Sequence, residues 1–255
     1  MRAKKQFGQN FLVNAGVVNK IVSAIELYSP VDSDPTLLEI GPGPGALTES
    51  LLKKKWRVKA IEIDRDMVTH LSEKFAHELS EERFSIIESD ALKVEKEMVG
   101  QVDTVCGNLP YNVGTEILFR VLFEFEHRGP CHFMLQKEVV DRLRASPRTK
   151  AYGALSVAFQ SLCSVEQVFN VSPGSFQPIP KVDSAFISFI PLAKALVSRE
   201  NWSEYRSFLN RCFSQRRKML KHQLPKEFSD EVAGRRAEEL SVEEFVDLYR
   251  RIHGR

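Results

Sequence analysis

The chain has 255 residues, a formal net charge of +2 at pH 7 and 27% charged residues. These values suit one large domain, or one large and one small domain, and they argue against a fibrous or disordered protein. Four cysteines lie far apart without a C-x-x-C pair. This spacing predicts reduced, mostly buried thiols, with neither a disulfide framework nor a metal site.

The N-terminal stretch carries Arg2, Lys4 and Lys5 and has no acidic residue before Glu26. It lacks the continuous apolar segment of a secretory signal. No apolar run in the chain approaches the roughly 18 residues of a membrane span. We therefore expect a soluble cytoplasmic protein without a membrane partner, and the basic N-terminus leaves import into an organelle as the alternative.

Helical and strand patterns alternate along the first part of the chain. Residues from Asn14 to Leu27 place branched apolar residues at helical spacing. Five short apolar runs follow that are typical of buried parallel strands: TLLEIG, RVKAIEID, RFSIIES, VDTVCGN and CHFMLQ. Helical segments separate or follow them: GALTESLLKKK, Asp66 to Leu79, VGTEILFRVLFEF and KEVVDRLRA. This order predicts an α/β protein with a doubly wound sheet and right-handed crossovers.

Two later runs, SVEQVFNV and SAFISFI, are separated by a proline-rich segment that is too short for a crossover helix. They predict an antiparallel hairpin at the edge of the sheet. After Leu192 the pattern predicts helices throughout, over NWSEYRSFLNRCFSQRRKMLKHQL, FSDEVAGRRAEEL and SVEEFVDLYRRI. The change at Pro191 predicts one domain over residues 1–191 and a small helical domain over residues 192–255.

The segment LLEIGPGPGALTE lies where the first strand meets the first crossover helix, a place at which open α/β sheets bind nucleotides. Gly41, Gly43 and Ala46 satisfy the dinucleotide pattern G-x-G-x-x-[GA]. Pro42 and Pro44, however, each remove a backbone N–H that a pyrophosphate would need. The loop therefore permits close approach of a ligand and offers few donors to an anion.

Acidic residues stand near three successive strand ends beside this loop. Glu39 would repel a phosphate and suit a cation, Glu62 could accept hydrogen bonds from both hydroxyls of a ribose, and Asp90 could accept one from an adenine amine. Each could instead only cap a helix or face solvent. Together with the two prolines they favour S-adenosylmethionine, which has cationic sulfonium and amino groups and no phosphate, over a nicotinamide dinucleotide.

The stretch GNLPYN follows the fourth strand of the sheet. An exocyclic adenine amine is a poor nucleophile because its lone pair is delocalised into the ring. The side-chain oxygen of Asn108 and the backbone carbonyl before or at Pro110 could accept its hydrogens and aim the lone pair at a methyl group. Tyr111 offers a ring for an extruded base, worth roughly 1–3 kcal/mol of stacking. The alternative is an ordinary Asn-x-Pro turn with Tyr111 in the core.

Residues 205–224 contain no acidic residue. On a continuous helix, the basic residues of this segment would lie mainly on one stripe and the apolar residues mainly opposite, so that phosphates could bind the basic side. The candidate RNA-binding residues are Arg211, Arg216, Arg217, Lys218 and Lys221. A solvated surface is the alternative. Further basic clusters are Arg142, Arg144, Arg148 and Lys150, and the N-terminal Arg2, Lys4 and Lys5.

The sequence closely resembles the KsgA-type ribosomal RNA small-subunit adenine dimethyltransferases over almost its whole length. The resemblance is carried by KKQFGQNFL, LLEIGPGPGALTE, AIEIDRDM, SDAL, GNLPYN, HFMLQKEVVDRL, KAYGALSV, PKVDSAF, CFSQRRKML and RAEELSVEEF. The erythromycin-resistance methylases, which modify large-subunit rRNA, share the core motifs. Agreement in PKVDSAF and RRKML favours the small-subunit enzymes.

The resemblance implies a class I methyltransferase with a Rossmann-like, mostly parallel seven-stranded sheet and a small C-terminal helical domain that binds RNA. Its motifs assign S-adenosylmethionine binding to Asn10, Leu12, Gly41, Gly43, Glu62, Asp90 and Asn108. They assign the base clamp to Asn108, Leu109, Pro110 and Tyr111. The enzyme would dimethylate N6 of two adjacent adenosines in a 3′-terminal stem-loop of small-subunit rRNA. It would do so during ribosome biogenesis, as a monomer on a pre-ribosomal 30S-like particle.

Two other functions fit parts of the pattern. The first is a non-catalytic RNA-binding assembly factor on the same fold, and the complete clamp from Asn108 to Tyr111 disfavours it. The second is a nicotinamide-dependent oxidoreductase, which Pro42 and Pro44 disfavour.

Overall fold

The computed structural model describes residues 9–29, 34–54, 56–225 and 231–254. The strands are β1 (Phe11–Leu12), β2 (Thr36–Ile40), β3 (Arg57–Glu62), β4 (Phe84–Glu88), β5 (Thr104–Asn108), β6 (Cys131–Gln136), β7 (Cys163–Val171), β8 (Phe176–Gln177) and β9 (Ser184–Pro191). The α-helices are α1 (Ala15–Tyr28), α2 (Ala46–Lys53), α3 (Arg65–Lys74), α4 (Ala76–Ser80), α5 (Lys96–Val99), α6 (Gly114–Glu124), α7 (Lys137–Leu143), α8 (Ala154–Gln160), α9 (Trp202–Phe213) and α10 (Val242–His253).

The central sheet has seven strands in the order β4-β3-β2-β5-β6-β9-β7. Pairing is parallel from β4 across to β6, and β9 runs antiparallel to β6. The chain runs outward from β2 to β4 and then returns to β5 on the other side of β2. Ligands of open α/β sheets bind at such a switch point, beside the carboxyl ends of the strands. The predicted doubly wound, mostly parallel sheet is confirmed.

Strands β7 and β9 are neighbours at one edge of the sheet, as the two apolar runs predicted. Between them the chain adds β8, which pairs with β1 through Leu12 and Phe176. The backbone N–H of Val13 extends this contact by donating to the oxygen of Ser175 at 2.9 Å. A two-residue strand has too few residues for a visible period, so this small sheet was not predicted. It ties residues 11–13 to the segment around Ser175 and Phe176.

Helix α1 forms for local reasons that the sequence displays. Asn14 caps its N-terminus, since its side-chain oxygen accepts from the backbone N–H of Val17 at 3.2 Å. The face that packs on the core consists of Val18, Ile21, Val22, Ala24 and Ile25. The amphipathic helix expected between Asn14 and Leu27 is confirmed.

A buried polar network joins the end of α1 to the sheet. Both ring nitrogens of His132 are hydrogen-bonded, Nε2 with the hydroxyl of Ser29 at 2.9 Å and Nδ1 with that of Ser188 at 2.8 Å. Burial lowers the pKa of His132 to about 4, so the ring is neutral at pH 7. Because Ser29 is the C-cap residue of α1, the network fixes the helix end on β6 and β9.

Gly107 on β5 allows a close approach to β2. A Cβ atom at this residue would lie 2.6 Å from the backbone oxygen of Ile40, which cannot rotate away. We expect Gly107→Ala to lower the free energy of unfolding by about 1–3 kcal/mol and to lower the melting temperature by several degrees in thermal unfolding. Gly174→Ala is the control, because a Cβ at Gly174 meets no atom within 4 Å. Equal melting temperatures for the two variants would contradict this account.

The chain divides into two compact units. The first falls within Met1–Lys137 and Gln167–Ile190, and the second within Glu138–Glu166 and Pro191–Arg255. The second unit therefore contains α7 and α8 in addition to the C-terminal helices. The functional division into residues 1–191 and 192–255 stays a prediction.

The helical prediction for the C-terminal region is only partly correct. Helix α9 ends at Phe213, whereas the pattern predicted a helix as far as Leu224. A continued helix would direct the N–H of Leu220 to the carbonyl of Arg216. Instead Leu220 is fully buried and its N–H donates to the oxygen of Arg235 at 2.9 Å. Tertiary packing of Leu220 therefore overrides the helical preference of this segment.

The next predicted helix, over FSDEVAGRRAEEL, begins in residues 226–230, which lie outside the described part of the chain. Its described part forms two short 3₁₀ turns, Glu231–Gly234 and Ala237–Glu239, so the prediction is wrong there. The last predicted helix is confirmed as α10. Ser241 and Glu244 form a reciprocal capping box at its start.

Cys106, Cys131, Cys163 and Cys212 are all free and buried, as predicted from their spacing. Among the residues that the structure describes, no helix has both the length and the apolar character needed to cross a membrane.

Candidate active site

The glycine loop between β2 and α2 takes a conformation that few other residues could adopt. Gly41, Gly43 and Gly45 have φ values of +68°, +55° and +80°. A Cβ at Gly43 would lie 2.9 Å from the ring of Phe11, and one at Gly45 would lie 2.7 Å from the ring of Phe75. The third position of the loop that must be glycine is therefore residue 45, and not residue 46, which the dinucleotide pattern used. The alternating glycines of the G-x-G-x-G pattern could have predicted this requirement at Gly45.

Every backbone N–H between residues 41 and 45 is already engaged within the protein. Gly41 donates to the oxygen of Ile61 at 2.9 Å, and Gly45 donates to the oxygen of Pro42 at 3.0 Å. Gly43 donates to Oε2 of Glu62 at 3.1 Å. Pro42 and Pro44 have no N–H to offer. A phosphate would therefore find no donor in this part of the loop, which disfavours a dinucleotide.

Glu62 at the end of β3 organises the glycine loop. The side chain is 4% exposed, and its other oxygen, Oε1, accepts from the backbone N–H of Asp64 at 2.9 Å. Burial raises the pKa of Glu62, while backbone hydrogen bonds from Asp64 and Gly43 act in the opposite direction. A backbone hydrogen bond from Ile63 lowers the pKa of Glu62 as well. A carboxylate has about four acceptor sites, so Glu62 retains at least one lone pair for a ligand.

Glu39 lies one strand away, on β2, and is 2% exposed. The hydroxyl of Thr48 donates to its Oε2 at 2.6 Å. Burial raises the pKa of Glu39 to about 7, and the hydrogen bond from Thr48 lowers it by less. A cation bound nearby would favour the ionised carboxylate, so this environment suits a positively charged ligand.

Asp90 lies beyond the end of β4. Its Oδ1 accepts from the backbone N–H of Leu92 at 2.9 Å. The bond closes a turn after β4 and does not cap a helix, since the next helix, α5, begins at Lys96 with Glu95 as its N-cap. It occupies one carboxylate oxygen, and the side chain still lines the same cleft as Glu62.

Asn108, the last residue of β5, has a defined amide orientation. Its Nδ2 donates to the backbone oxygen of Asn10 at 2.8 Å. Since the amide nitrogen is used in this way, Oδ1 is the atom left to accept a hydrogen bond from a ligand. No donor among the described residues bonds to that oxygen.

The residues after Asn108 form a tight turn. The side chain of Leu109 is 1% exposed, and its N–H donates to the oxygen of Met134 at 3.2 Å. The carbonyl of Pro110 accepts from the N–H of Val113 at 3.3 Å. Of the two carbonyls that the sequence left open as acceptors, that of Pro110 is therefore used inside the turn. Within the described turn, no backbone N–H donates to the carbonyl of Leu109.

Tyr111 is partly buried, and its hydroxyl is hydrogen-bonded to the hydroxyl of Ser184 at 2.6 Å. Burial raises the pKa of Tyr111, and the bond with Ser184 lowers it by less. The ring lines the same cleft as Asn108. Ser184 lies in PKVDSAF, and the sequence alone did not single it out as a functional residue.

One cleft of about 240 Å³ at the carboxyl edge of the sheet brings together all the residues predicted to bind the cofactor or the base. These are Asn10, Leu12, Gly41, Gly43, Glu62, Asp90, Asn108, Leu109, Pro110 and Tyr111. The lining also includes residues that were not predicted, among them Gln9, Phe11, Ile63 and Phe186. Apolar walls with a few convergent polar groups are typical of sites for small organic ligands.

The predicted basic stripe is wrong in its geometry. Arg211 lies on α9, but Arg217, Lys218 and Lys221 follow the end of that helix, so the four do not share a helical face. All four are exposed. Their assignment to RNA binding stays a prediction.

Arg216 has a structural task in this region. Its Nη2 donates to the backbone oxygens of Lys150 and Tyr152 at 3.0 and 2.9 Å. It also lies 3.6 Å from a carboxylate oxygen of Glu238. These contacts hold the loop that carries Lys150, so Arg216 has fewer donors left for a phosphate than the exposed Arg217. The N-terminal cluster of Arg2, Lys4 and Lys5 lies outside the described residues.

The fold and this cleft define a class I S-adenosylmethionine-dependent methyltransferase. Among solved structures, a dimethyladenosine transferase from Plasmodium falciparum matches with a TM-score of 0.79 at 26% identity, over 96% of this chain and 98% of that one. The 23S rRNA methyltransferase ErmE matches with a TM-score of 0.70 at 23% identity, over 96% of this chain and 100% of that one, which shows the fold alone.

The chain belongs to the ribosomal RNA adenine dimethylase family, which it matches over residues 1–253. A ribosomal RNA small subunit methyltransferase A from Acidithiobacillus ferrooxidans is 45% identical over 226 residues, which cover 88% of this chain and 82% of that protein. A protein of the same name from Shewanella loihica is 41% identical, over 96% of this chain and 93% of that protein. The resemblance drawn from the motifs is confirmed, and the chain is an rRNA adenine dimethyltransferase that uses S-adenosylmethionine.

Proposed function

We propose that this enzyme dimethylates N6 of two adjacent adenosines in a 3′-terminal stem-loop of small-subunit rRNA, acting as a cytoplasmic monomer on a pre-ribosomal 30S-like particle. The relatives named for the small subunit support this choice of substrate. The observation that carries the proposal is the amide of Asn108, whose nitrogen is committed to the carbonyl of Asn10. Its oxygen therefore serves as the acceptor for an amine.

The cofactor half of the site is formed by the glycine loop and the acids around it. Bound S-adenosylmethionine supplies an electrophilic methyl group on a cationic sulfur. Glu62 accepts from the ribose with the acceptor capacity that its backbone donors leave, and Asp90 accepts from the adenine amine with the oxygen that does not accept from the N–H of Leu92. Glu39 is a buried carboxyl with a pKa of about 7, and a cationic ligand nearby favours its ionised form, whereas an anionic ligand would oppose it.

The base half of the site orients the target amine. Oδ1 of Asn108 and the carbonyl of Leu109 each accept one N6 hydrogen, which turns the nitrogen lone pair toward the methyl group. The turn bond between Pro110 and Val113 keeps the Leu109 carbonyl in place. Tyr111 stacks on the extruded adenine. Catalysis is thus mainly positioning, since no general base has to remove a proton before the methyl group is transferred.

The exposed cations after α9 bind phosphates, and residues 192–255 act as the RNA-substrate domain. We expect Arg217→Ala combined with Lys218→Ala to weaken binding of unmethylated small subunits. The slope of log affinity against log salt concentration should decrease by about 1–2, since each lost phosphate contact removes roughly one released counterion. Filter binding at several salt concentrations measures this slope.

Lys20→Ala combined with Lys53→Ala removes the same number of positive charges from exposed positions in the other compact unit. We expect this control to leave the slope near that of the wild type. Equal slopes for the two double variants would contradict a specific role for Arg217 and Lys218.

The proposed function is tested by incubating the enzyme with unmethylated small subunits and S-adenosylmethionine labelled in its methyl group, followed by mapping of the modified bases. We expect label as dimethyladenosine at two adjacent positions near the 3′ end of the small-subunit rRNA. Label confined to large-subunit rRNA, or to other positions, would overturn the proposal. Naked rRNA in a parallel reaction determines whether an assembled particle is required.

A further inference from the structure

Ser184 contributes a hydroxyl to the base half of the site from a distant part of the chain. It is fully buried, and its Oγ lies 2.6 Å from the hydroxyl of Tyr111, which is 73 residues earlier. The bond lies inside the first compact unit, where Ser184 begins β9 and pairs with Gln136 of β6.

The position of Ser184 is fixed by the backbone on both sides. The antiparallel ladder between β6 and β9 begins at this residue. Just before it, the carbonyl of Asp183 accepts from the N–H of Lys137 at 2.9 Å. A buried serine that is tethered in this way offers Tyr111 a fixed partner. The tyrosine hydroxyl, whose pKa burial raises, stays protonated at neutral pH and can keep this bond.

We propose that Ser184 is a positioning residue for the methyl transfer, which holds the ring of Tyr111 at the angle at which the extruded adenine stacks. The inference rests on the proposed role of Tyr111 in binding the base. Tyr111 lies within the turn from Pro110 to Val113 and is only partly buried, so packing restrains its ring less than that of a fully buried aromatic residue. A hydrogen bond at the far end of the ring removes that freedom without blocking the face on which a base would stack.

The test uses Ser184→Ala, Tyr111→Phe and the double variant, each of which removes the same hydrogen bond while the aromatic ring is retained. We expect each single variant to lower the single-turnover methylation rate by about 3- to 10-fold, the range for loss of one neutral hydrogen bond. The dissociation constant of S-adenosylhomocysteine should stay unchanged. The double variant should be no slower than the slower single variant, because both substitutions act on one interaction.

Ser188→Ala is the matched control, since Ser188 is also fully buried on β9 and its hydroxyl is bonded to the side chain of His132. It should lower the melting temperature and leave the methylation rate unchanged. If Ser184→Ala fails to fold, Tyr111→Phe still tests the bond. Full activity of Tyr111→Phe, or losses that multiply in the double variant, would overturn the inference. An inactive wild-type enzyme would instead overturn the proposed function together with the inference.

Discussion

Replacement of Asn108 by alanine is expected to lower the methylation rate by roughly 10²- to 10³-fold, which is the usual effect of removing one preorganised polar group from a transition-state site. The variant loses the acceptor that orients the amine of the target adenine. It also loses the bond to the carbonyl of Asn10, which defines the orientation of the amide. Binding of the small subunit should stay nearly intact, because phosphate contacts supply most of the affinity for RNA.

Single-turnover methylation and filter binding with unmethylated small subunits measure the two quantities separately. Asn170→Ala serves as the control, since it removes an exposed amide from β7. We expect it to behave as the wild type in both assays. Wild-type turnover of the Asn108→Ala enzyme would contradict the proposed role of Asn108 in orienting the target adenine. A parallel loss of RNA affinity would indicate that the substitution disturbs more of the structure than this one hydrogen-bond acceptor.

Replacement of Glu62 by glutamine should weaken cofactor binding strongly. The carboxylate accepts from the backbone N–H groups of Gly43 and Asp64. A glutamine of the same shape must direct its NH₂ group at one of the backbone donors around it, so the local hydrogen bonding loses an anchor and the cofactor loses a charged acceptor. Loss of hydrogen bonds to a charged group costs about 1.5–3 kcal/mol, or roughly 10- to 150-fold in the dissociation constant.

Calorimetric titration with S-adenosylhomocysteine, without RNA, measures this effect. The control is Glu88→Gln on the neighbouring strand, because Glu88 lies opposite Glu62 in the β3/β4 register and is exposed. Its side chain pairs with Arg65 at the surface, an interaction of little energetic weight. Equal affinities of the Glu62 and Glu88 variants would refute the assignment of Glu62 to the cofactor.

Much of the candidate site could be predicted from the sequence because its parts are local. A few consecutive residues were enough to recognise each part: the glycine loop, the acids at the ends of neighbouring strands and the GNLPYN turn. Parallel strands place their carboxyl ends at one edge of the sheet. Residues at or just after the ends of β2, β3 and β5 are therefore expected to lie close together at that edge. The two prolines already argued against a phosphate ligand, and the structure adds that Gly41, Gly43 and Gly45 use their own N–H groups internally.

The C-terminal region was less predictable because its segments are decided by partners elsewhere in the chain. Helical periodicity continued past Phe213, yet burial of Leu220 and its bond to Arg235 ended the helix. Arg216 looked like one more phosphate ligand in a basic run. Its hydrogen bonds to the carbonyls of Lys150 and Tyr152 instead stabilise the loop that contains these two residues.

The amino-acid sequence by itself determined the alternation of helices and strands, the donor-poor glycine loop and the types of residue at the site, since these depend on neighbours along the chain. Only the tertiary structure decided that the carbonyl of Asn10 holds the amide of Asn108 and that Ser184 holds the hydroxyl of Tyr111. These pairs are 98 and 73 residues apart. Spacing along the chain carries no information about such contacts, because the packing of the whole sheet brings the partners together.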